Sequence, residues 1–316
     1  MPEHYGYSVN VLIGGGLGFI GSYLTPYFLD QGAHVGVITR RVPDTFRDLA
    51  RRVDCHIHDL RDGTSLRLPR QYDYFVHLAG ALPTAPSMTT DLVARTVDVT
   101  RQCLDICRIN GIQRFIHFST IQVYGRDEGF VDERTPVLCR NDYALAHHLA
   151  EEEVRRAQCE GVLDYVILRP TNGYGFSAHV DVHRWPLVPS CFCRTAVDGG
   201  EIVLRTSGRQ QKDFIHLEQV AGLTYGICLE FDRFRGQLIN LASGSSRAII
   251  DVATLVKDTY DSSMGRACTL RVLSESPHSV EPLVVSRAKT ADLPYVPSAD
   301  LNLAAAITRT LAFLTS

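Results

Sequence analysis

The sequence predicts an α/β fold in which a doubly wound parallel sheet is followed by a smaller C-terminal part. In the first 170 residues, short runs rich in β-branched and aromatic residues alternate with longer amphipathic runs. Alternation of this kind indicates parallel strands joined by right-handed crossover helices. Beyond Pro170 the pattern becomes irregular and more aromatic, which favours a second part laid over the ends of the strands.

The periodicity of the apolar residues gives the bounds of the individual elements. Strands are predicted over residues 9–13, 34–39, 53–58, 74–78, 114–119 and 165–168. Helices are predicted over residues 19–31, 44–52, 90–110 and 143–160. We expect residues 1–170 to form the first domain, with 210–242 returning to it, and residues 171–209 and 243–316 to form the second.

A cluster of glycines follows the first predicted strand, in the sequence VLIGGGLGFIGSYL at residues 11–24. Apolar residues recur at helical spacing from Phe19 onward, so the glycines lie in a turn between a strand and a helix. Glycines allow the chain to turn tightly and to approach a ligand, and the start of the helix offers free N–H groups. The stretch predicts a pyrophosphate site in a Rossmann-type sheet; the alternative is a tight turn that binds nothing.

The end of the second predicted strand bears on which dinucleotide binds. An acidic residue at this point would accept hydrogen bonds from the adenosine ribose and repel a 2′-phosphate. The chain has Arg40 and Arg41 there instead, and guanidinium groups favour a phosphate. We therefore expect NADP rather than NAD, with NAD as the alternative.

Other strand ends supply polar and small side chains at the edge of the sheet where ligands bind. Asp59 follows the third strand, where its carboxylate is placed to meet an adenine amino group. The fourth strand ends in HLAG at residues 77–80, whose small residues permit close approach of a cofactor. Ser119 and Thr120 follow the fifth strand, and their hydroxyls either bind a substrate oxygen or cap a turn.

The next predicted helix carries Tyr143 and His147, which lie one turn apart on the same face. A tyrosine acts as an acid or base near neutral pH when a neighbouring cation stabilises its phenolate. A lysine would ordinarily supply that charge, and here the residue is a histidine. We hypothesise that a protonated His147 performs part of this task, so that turnover declines as the pH rises through its titration.

The composition excludes several classes of protein. The chain has 316 residues with a formal net charge of −3, so no nucleic-acid surface is expected. No apolar run approaches the length of a membrane span and no signal peptide is recognisable, so we expect a cytoplasmic protein without a membrane partner. The nine scattered cysteines indicate reduced thiols, and the HVDVH stretch at residues 179–183 lacks the further ligands of a metal site.

Over nearly its whole length the chain resembles the extended short-chain dehydrogenases/reductases, the group of nucleotide-sugar epimerases, dehydratases and ketoreductases. The resemblance lies in motifs that occur in the family's order and spacing. They are GGLGFIG at 15–21, Asp59-Leu60, HLAG at 77–80, STIQVYG at 119–125 for the family's SSxxVYG, YALAH at 143–147 for YxxxK, LRPTNGYG at 168–175, QKDFIH at 211–216 and NLASG at 240–244.

This resemblance implies roles for individual residues. Thr120 and Tyr143 match the catalytic hydroxyl and the acid/base, and His147 takes the place of the lysine. The expected cofactor-binding residues are Gly15, Gly18, Phe19, Ile20, Gly21, Arg40, Arg41, Asp59, Leu60, Leu78, Ala79, Gly80, Ser119, Tyr143, His147, Pro170 and Thr171. The expected substrate-binding residues are Thr120, Asn172, Leu187 and Lys212. By analogy, the helices 90–110 and 143–160 would pair with those of a second subunit in a homodimer.

The departures from the family pattern reduce the number of reactions that we expect of this chain. Ile121 and Gln122 follow Thr120 where 4,6-dehydratases place acidic residues, which argues against a dehydratase. We expect an NAD(P)-dependent nucleotide-sugar ketoreductase or epimerase, with Arg40 and Arg41 favouring the reductase. The alternative, motivated by His147, is a catalytically weakened binding protein of the same fold.

Overall fold

The computed structural model describes residues 9–80, 89–176, 185–274, 281–294 and 302–315. Its strands are β1 (Asn10–Gly14), β2 (His34–Thr39), β3 (Asp54–Ile57), β4 (Tyr74–His77), β5 (Arg114–Phe118), β6 (Gly129–Val131), β7 (Asp164–Pro170), β8 (Asn172–Tyr174), β9 (Glu201–Leu204), β10 (Gln211–His216), β11 (Gln237–Leu241), β12 (Ser246–Ala248), β13 (Thr269–Val272) and β14 (Leu283–Val285). Its α-helices are α1 (Gly21–Asp30), α2 (Arg47–Arg51), α3 (Thr89–Asn110), α4 (Asp142–Cys159), α5 (Val188–Gly199), α6 (Leu217–Leu229), α7 (Phe231–Phe234), α8 (Ile249–Met264) and α9 (Leu303–Thr315).

Seven of these strands form a parallel sheet in the order β3-β2-β1-β4-β5-β7-β11. The order reverses between β1 and β4, which is the arrangement of a doubly wound sheet and confirms the predicted fold class. Both faces are covered, since Val11 and Ile13 of β1 point into a core shared with α1 and α6. Leu12 points into the opposite core, which α3 covers. This double burial explains why the strands read as continuous apolar runs.

The predicted elements agree with the structure to within two residues at most boundaries. The largest difference is the predicted helix 44–52, which begins as a 3₁₀ turn at Asp44–Phe46 and continues as the short α2. Pro43 precedes this turn with extended backbone, and the element is too short and too exposed to form one regular helix. Strand β7 is longer than predicted and runs through Arg169 to Pro170, because β11 pairs with it from Val166 to Pro170.

The C-terminal half of the chain contributes a second, smaller core. Helices α5, α8 and α9 pack together around buried side chains such as Cys193, Val256 and Ile307. Strands β8, β10 and β12 form one small sheet, and β9 pairs with β13 in another. The chain is interleaved, because β11 returns to the edge of the large sheet beside β7 while β10 and β12 stay in the small one.

One buried carboxylate, that of Asp213 on β10, joins two of the places where the chain passes between these two parts. Its Oδ1 accepts hydrogen bonds from the Thr171 hydroxyl at 2.6 Å and from the Ser243 N–H at 2.9 Å. Its Oδ2 accepts from the Ser243 hydroxyl at 2.9 Å and from the Gly244 N–H at 2.8 Å. Since Thr171 follows β7 and Ser243 follows β11, the side chain of Asp213 ties three chain segments together.

Candidate active site

A cleft of about 570 Å³ runs along the carboxyl ends of the parallel strands. Such a cleft at the point where the strand order reverses is where doubly wound sheets bind ligands. The expected site residues that line it are Gly15, Gly18, Phe19, Ile20, Gly21, Arg40, Arg41, Asp59, Leu60, Leu78, Ala79, Gly80, Ser119, Thr120, Tyr143, His147, Pro170, Thr171, Asn172 and Leu187. The fold therefore brings together residues that lie up to 172 positions apart, from Gly15 to Leu187.

The glycine turn is shaped so that side chains are excluded from it. Gly15 has a φ of +85°, a conformation that L-residues with side chains rarely adopt. A Cβ on Gly21 would lie 2.5 Å from the carbonyl carbon and oxygen of Gly16, so only glycine fits. In the described part of the chain, the N–H groups of Phe19 and Ile20 have no backbone acceptor, and no side chain caps α1. Free N–H groups at a bare helix start fit a pyrophosphate.

The ends of β2 and β3 form one end of the cleft, which carries several charges. The Asp59 carboxylate binds the Arg61 guanidinium, with Nε to Oδ1 at 2.9 Å and Nη2 to Oδ2 at 2.5 Å. This hydrogen bonding, with a smaller contribution from the charge of Arg40, lowers the pKa of Asp59 to about 2. The Arg41 carbonyl accepts a hydrogen bond from the Thr39 hydroxyl at 2.8 Å, which fixes the turn after β2.

Ser119 and Thr120 leave β5 at the floor of the cleft. The Ser119 hydroxyl donates to Oε1 of Glu151, a fully buried carboxylate that Arg169 also binds, with Nε to Oε1 at 2.7 Å. Burial would raise the pKa of Glu151, but hydrogen bonds from His148 and Arg169 outweigh it and hold that pKa below its usual range. A buried ion pair therefore fixes the strand end from below, and Thr120 faces the cleft beside Ser119.

Tyr143 and His147 face the cleft from α4, which Asn141 caps by accepting a hydrogen bond from the Ala144 N–H at 2.8 Å. Burial raises the pKa of Tyr143 to about 12, although a side-chain hydrogen bond with Thr120 acts in the opposite direction. Burial lowers the pKa of His147 to about 4, and the Glu151 carboxylate offsets only part of that effect. At pH 7 both side chains are therefore uncharged.

This environment removes the charge that our sequence hypothesis requires of His147. Its side chain is 8% exposed, and its Nδ1 atom is buried with no hydrogen-bond partner in the described part of the chain. A charged imidazole without a partner would lose its hydration on burial, so the neutral form is favoured. A decline of turnover through a histidine titration near pH 6.5 is therefore no longer expected.

Two further histidines lie behind His147; His77 begins the HLAG motif expected near the cofactor, whereas His117 was not singled out from the sequence. His117 on β5 is 1% exposed, and its ring lies 5.2 Å from that of His77 on β4. The Thr100 hydroxyl donates to the Thr96 carbonyl, so it accepts from Nε2 of His77 at 3.0 Å. Burial first, and then the neighbouring imidazoles, lower the pKa of His117 well below its usual value. These imidazoles beneath the cleft are thus neutral.

Lys212 is the one expected site residue that does not line the cleft. Its Nζ lies 2.7 Å from Oδ1 of Asp127, whose Oδ2 binds Arg140 at 2.8 Å. Lys212, within the QKDFIH motif, lies on β10, and its acidic partner comes from a distant loop that was not recognisable from spacing. Contact between Lys212 and a substrate stays a prediction.

Several cleft residues were not expected from the sequence. They are Leu17, Thr39, Pro43, His58, Arg61, Arg95, Val99, Phe118, Ile121, Gln122, Gly173 and Leu217, with Ile38 at the end of β2. Among them Arg61 directly follows the Asp59-Leu60 motif, so its position was available from the sequence. Arg95 on α3 forms an ion pair with Asp91 one turn earlier, which a helical spacing of four also predicts.

The described residues offer neither a cluster of metal ligands nor a membrane-spanning helix. No three histidine, cysteine, aspartate or glutamate side chains there come close enough to hold a metal ion. The HVDVH stretch at 179–183 lies outside the described residues. None of the described helices combines the length and the apolar character that a membrane span requires. The nine cysteines are all free thiols.

The sheet order, the glycine turn and the tyrosine on α4 beside the strand-end hydroxyls define an extended short-chain dehydrogenase/reductase. The chain belongs to the NAD dependent epimerase/dehydratase family, whose model matches residues 11–242. That range covers the large sheet from β1 to β11 and every residue placed in the cleft.

The relatives share the fold and much of the length of this chain. A UDP-N-acetyl-alpha-D-glucosaminuronate decarboxylase from Bacillus cytotoxicus is 27% identical over 254 residues, which cover 77% of each protein. A UDP-D-apiose/UDP-D-xylose synthase from Oryza sativa subsp. japonica is 24% identical over 291 residues, covering 79% of this chain and 72% of that protein. The solved structure of UDP-glucuronic acid 4-epimerase from Bacillus cereus in complex with NAD gives a TM-score of 0.79 at 22% identity, covering 96% of this chain and 98% of that one.

Proposed function

We propose that this protein is an NADPH-dependent nucleotide-sugar ketoreductase. The observation that carries the proposal is the uncharged pair of Tyr143 and His147 beside the Thr120 hydroxyl, at the floor of the cleft. Several relatives are named for reactions of UDP-linked sugars, so we infer a uridine diphosphate sugar as the substrate.

The residues along the cleft suit a dinucleotide in extended form. The glycine turn would hold the pyrophosphate, the Arg40 and Arg41 guanidinium groups a 2′-phosphate, and Pro170 and Thr171 the nicotinamide end. When bound, NADPH supplies a hydride to a carbonyl carbon of the sugar. We expect Asn172 and Leu187, which continue the cleft beyond Thr171, to contact the substrate.

The protonation states of the site favour reduction. Tyr143 keeps its proton at neutral pH, because burial raises its pKa to about 12. It can therefore donate that proton to a carbonyl oxygen as the carbon is reduced, while the Thr120 hydroxyl donates a hydrogen bond to the same oxygen. The phenolate left on Tyr143 then regains a proton from water.

An epimerase would begin with the opposite step. An epimerase must first remove a proton from a sugar hydroxyl, and this requires Tyr143 as a phenolate. A cation one helical turn away would stabilise the phenolate, but the buried His147 is neutral above about pH 4. At neutral pH the site therefore holds the protonated tyrosine, which is the state from which reduction begins.

A second candidate function is a binding protein that retains the cofactor and has little turnover. The neutral His147 supports it, since no charged group in the described part of the cleft lies beside the tyrosine ring. Proton donation from a group with a pKa of about 12 is also slow at neutral pH unless the bound cofactor lowers that pKa.

We also propose a cytoplasmic homodimer. Helices α3 and α4 pack together, and Leu145 and Leu149 lie one turn apart on α4 with 38% of each residue exposed. Such a stripe of leucines beside the cleft is suited to pairing with a second copy. The residues 171–209 and 243–316 would carry the nucleotide part of the substrate.

The test begins with the molecules that leave the purified protein on denaturation, identified by mass spectrometry. NADP together with a UDP-sugar would support the assignment. Purified protein is then mixed with NADPH and UDP-linked 4-ketosugars, and NADPH oxidation is followed by absorbance. Turnover lost in Tyr143→Phe supports the reductase, whereas binding of both ligands without turnover supports the binding protein.

A further inference from the structure

Arg61 occupies a position at the ribose end of the cleft to which no role has been given. It lines the cleft beside Arg40 and Arg41, and its side chain is 51% exposed. Its own backbone N–H binds the Asp59 carboxylate at 3.0 Å, so a tight turn after β3 holds the pair in place. Arg61 is therefore held by hydrogen bonds to Asp59 from both its backbone N–H and its side chain.

The geometry of the pair leaves part of the guanidinium free. Nε and Nη2 donate to the two oxygens of Asp59, whereas Nη1 has no hydrogen-bond partner among the residues that the structure describes. An arginine that binds a carboxylate through Nε and Nη2 still presents its remaining N–H donors in a fixed direction. Such a group loses little side-chain freedom when it binds an anion.

The balance of charge at this end of the cleft is positive. Arg40, Arg41 and Arg61 line it together with a single carboxylate, that of Asp59. The Asp59 carboxylate already accepts several hydrogen bonds from Arg61. Its oxygens are therefore less available to the amino group of an adenine base. Net positive charge with oriented N–H donors suits a phosphate dianion.

We propose that Arg61, held by Asp59, is a third guanidinium of a 2′-phosphate site and so a determinant of cofactor choice. This role rests on the proposed preference for NADP. Arg61 would bind the phosphate through the N–H groups that Asp59 leaves free, while Arg40 and Arg41 bind it from the end of β2. Asp59 is then a positioning residue, because it aims Arg61 at the phosphate.

The test measures dissociation constants of NADP, NAD, 2′,5′-ADP and ADP by calorimetry, with no substrate present. We expect Arg61→Ala to weaken NADP and 2′,5′-ADP ten-fold or more and to change NAD and ADP less than two-fold. Asp59→Asn should weaken NADP more than NAD, because the positioning of Arg61 is lost. Arg67→Ala, an exposed arginine outside the cleft, is the matched control and should change neither.

Three results would overturn parts of this assignment, and they are distinguishable. Equal weakening of NADP and NAD in Arg61→Ala would make Arg61 a support of the adenine site and reject its role toward the phosphate. A wild-type preference for NADP that is lost in Arg40→Ala but kept in Arg61→Ala would reject only the role of Arg61. A wild-type protein that binds NAD as tightly as NADP would reject the proposed cofactor and this role together. Melting temperatures near the wild-type value show that the variants are folded.

Discussion

The ring of Tyr143 lies 4.6 Å from the ring of His147, centroid to centroid, at an angle of 67° between the planes. An edge-on arrangement of this kind packs a neutral imidazole well and does nothing to stabilise a phenolate by charge. The two side chains are therefore spaced like an acid/base pair, but neither of them is charged at neutral pH. Their lack of charge determines how the rate depends on pH.

We predict that the rate of sugar reduction by the wild-type protein is nearly constant between pH 5.5 and 8.5. Over that range His147 stays neutral, since its pKa is about 4, and Tyr143 stays protonated, since its pKa is about 12. The measurement is single-turnover oxidation of NADPH across the range. A sigmoidal loss of rate centred near pH 6.5 would show instead that a charged imidazole is required.

His147→Lys should restore the missing cation. A lysine at this position is expected to lower the pKa of Tyr143 and to raise the rate of carbinol oxidation about ten-fold or more. The kcat/KM of reduction should rise with it, because the equilibrium constant fixes the ratio of the two directions and a substitution in the catalyst does not change that constant. Both directions are measured with the same cofactor pair, and Tyr143→Phe in the lysine background is the control that should abolish the gain. An unchanged oxidation rate would argue for the binding protein.

Gly18→Val should abolish tight binding of the dinucleotide while the protein stays folded. Gly18 is exposed at the cleft, and a Cβ there would have only the Gly15 carbonyl oxygen within 4 Å, at 3.2 Å. The valine side chain would project into the space of the pyrophosphate. Titration with NADP and NAD measures the loss, and Gly199→Val on an exposed helix end is the matched control. Unchanged affinity would mean that the turn is structural.

Replacing Arg40 and Arg41 together by alanine should remove most of the preference for NADP over NAD. A charge-assisted hydrogen bond to a phosphate contributes roughly 1.5–3 kcal/mol, so the ratio of the two dissociation constants should fall ten-fold or more. The affinity for NAD should change little. A ratio that stays at its wild-type value in the double variant contradicts the assignment of this end of the cleft.

The buried histidines should make the fold sensitive to mild acid. His77, His117 and His147 all have lowered pKa values in the folded state, so the unfolded chain binds protons first as the pH falls below 6.5. Stability is therefore fully present above about pH 6.5 and is lost as the pH falls toward the folded-state values. Each histidine should lower the free energy of unfolding by about 1.4 kcal/mol between pH 7.5 and 5.5.

Urea unfolding at these two pH values measures the effect. His147→Gln removes one titrating group and should make the difference between the two pH values smaller by about 1.4 kcal/mol. Arg67→Ala is the control, because this exposed side chain does not titrate between the two pH values. If both variants behaved like the wild-type protein, the buried imidazoles would not be the cause.

The sequence predicts the sheet well, because strands, helices and turns are indicated by residues that lie close together in the chain. A glycine at position 15 is required by a positive φ, and alternating strands and helices leave few ways to connect them. The charge state of His147 was not predictable in this way, because it depends on burial against His117, which is 30 positions away in the chain. The same holds for Lys212, whose partner Asp127 comes from another loop.

The four hydrogen bonds to Asp213 also bear on how the molecule can move. Many two-part enzymes open like a clamshell about a hinge of a few loop residues. Here two of the crossing points, after β7 and after β11, are attached to one carboxylate with 1% exposure, and rotation of one part would remove its hydrogen-bond donors without exposing it to water. A buried charge left without partners is costly, so rigid-body opening is opposed. We therefore expect ligands to enter and leave by local movements of the loops and side chains around the mouth of the cleft.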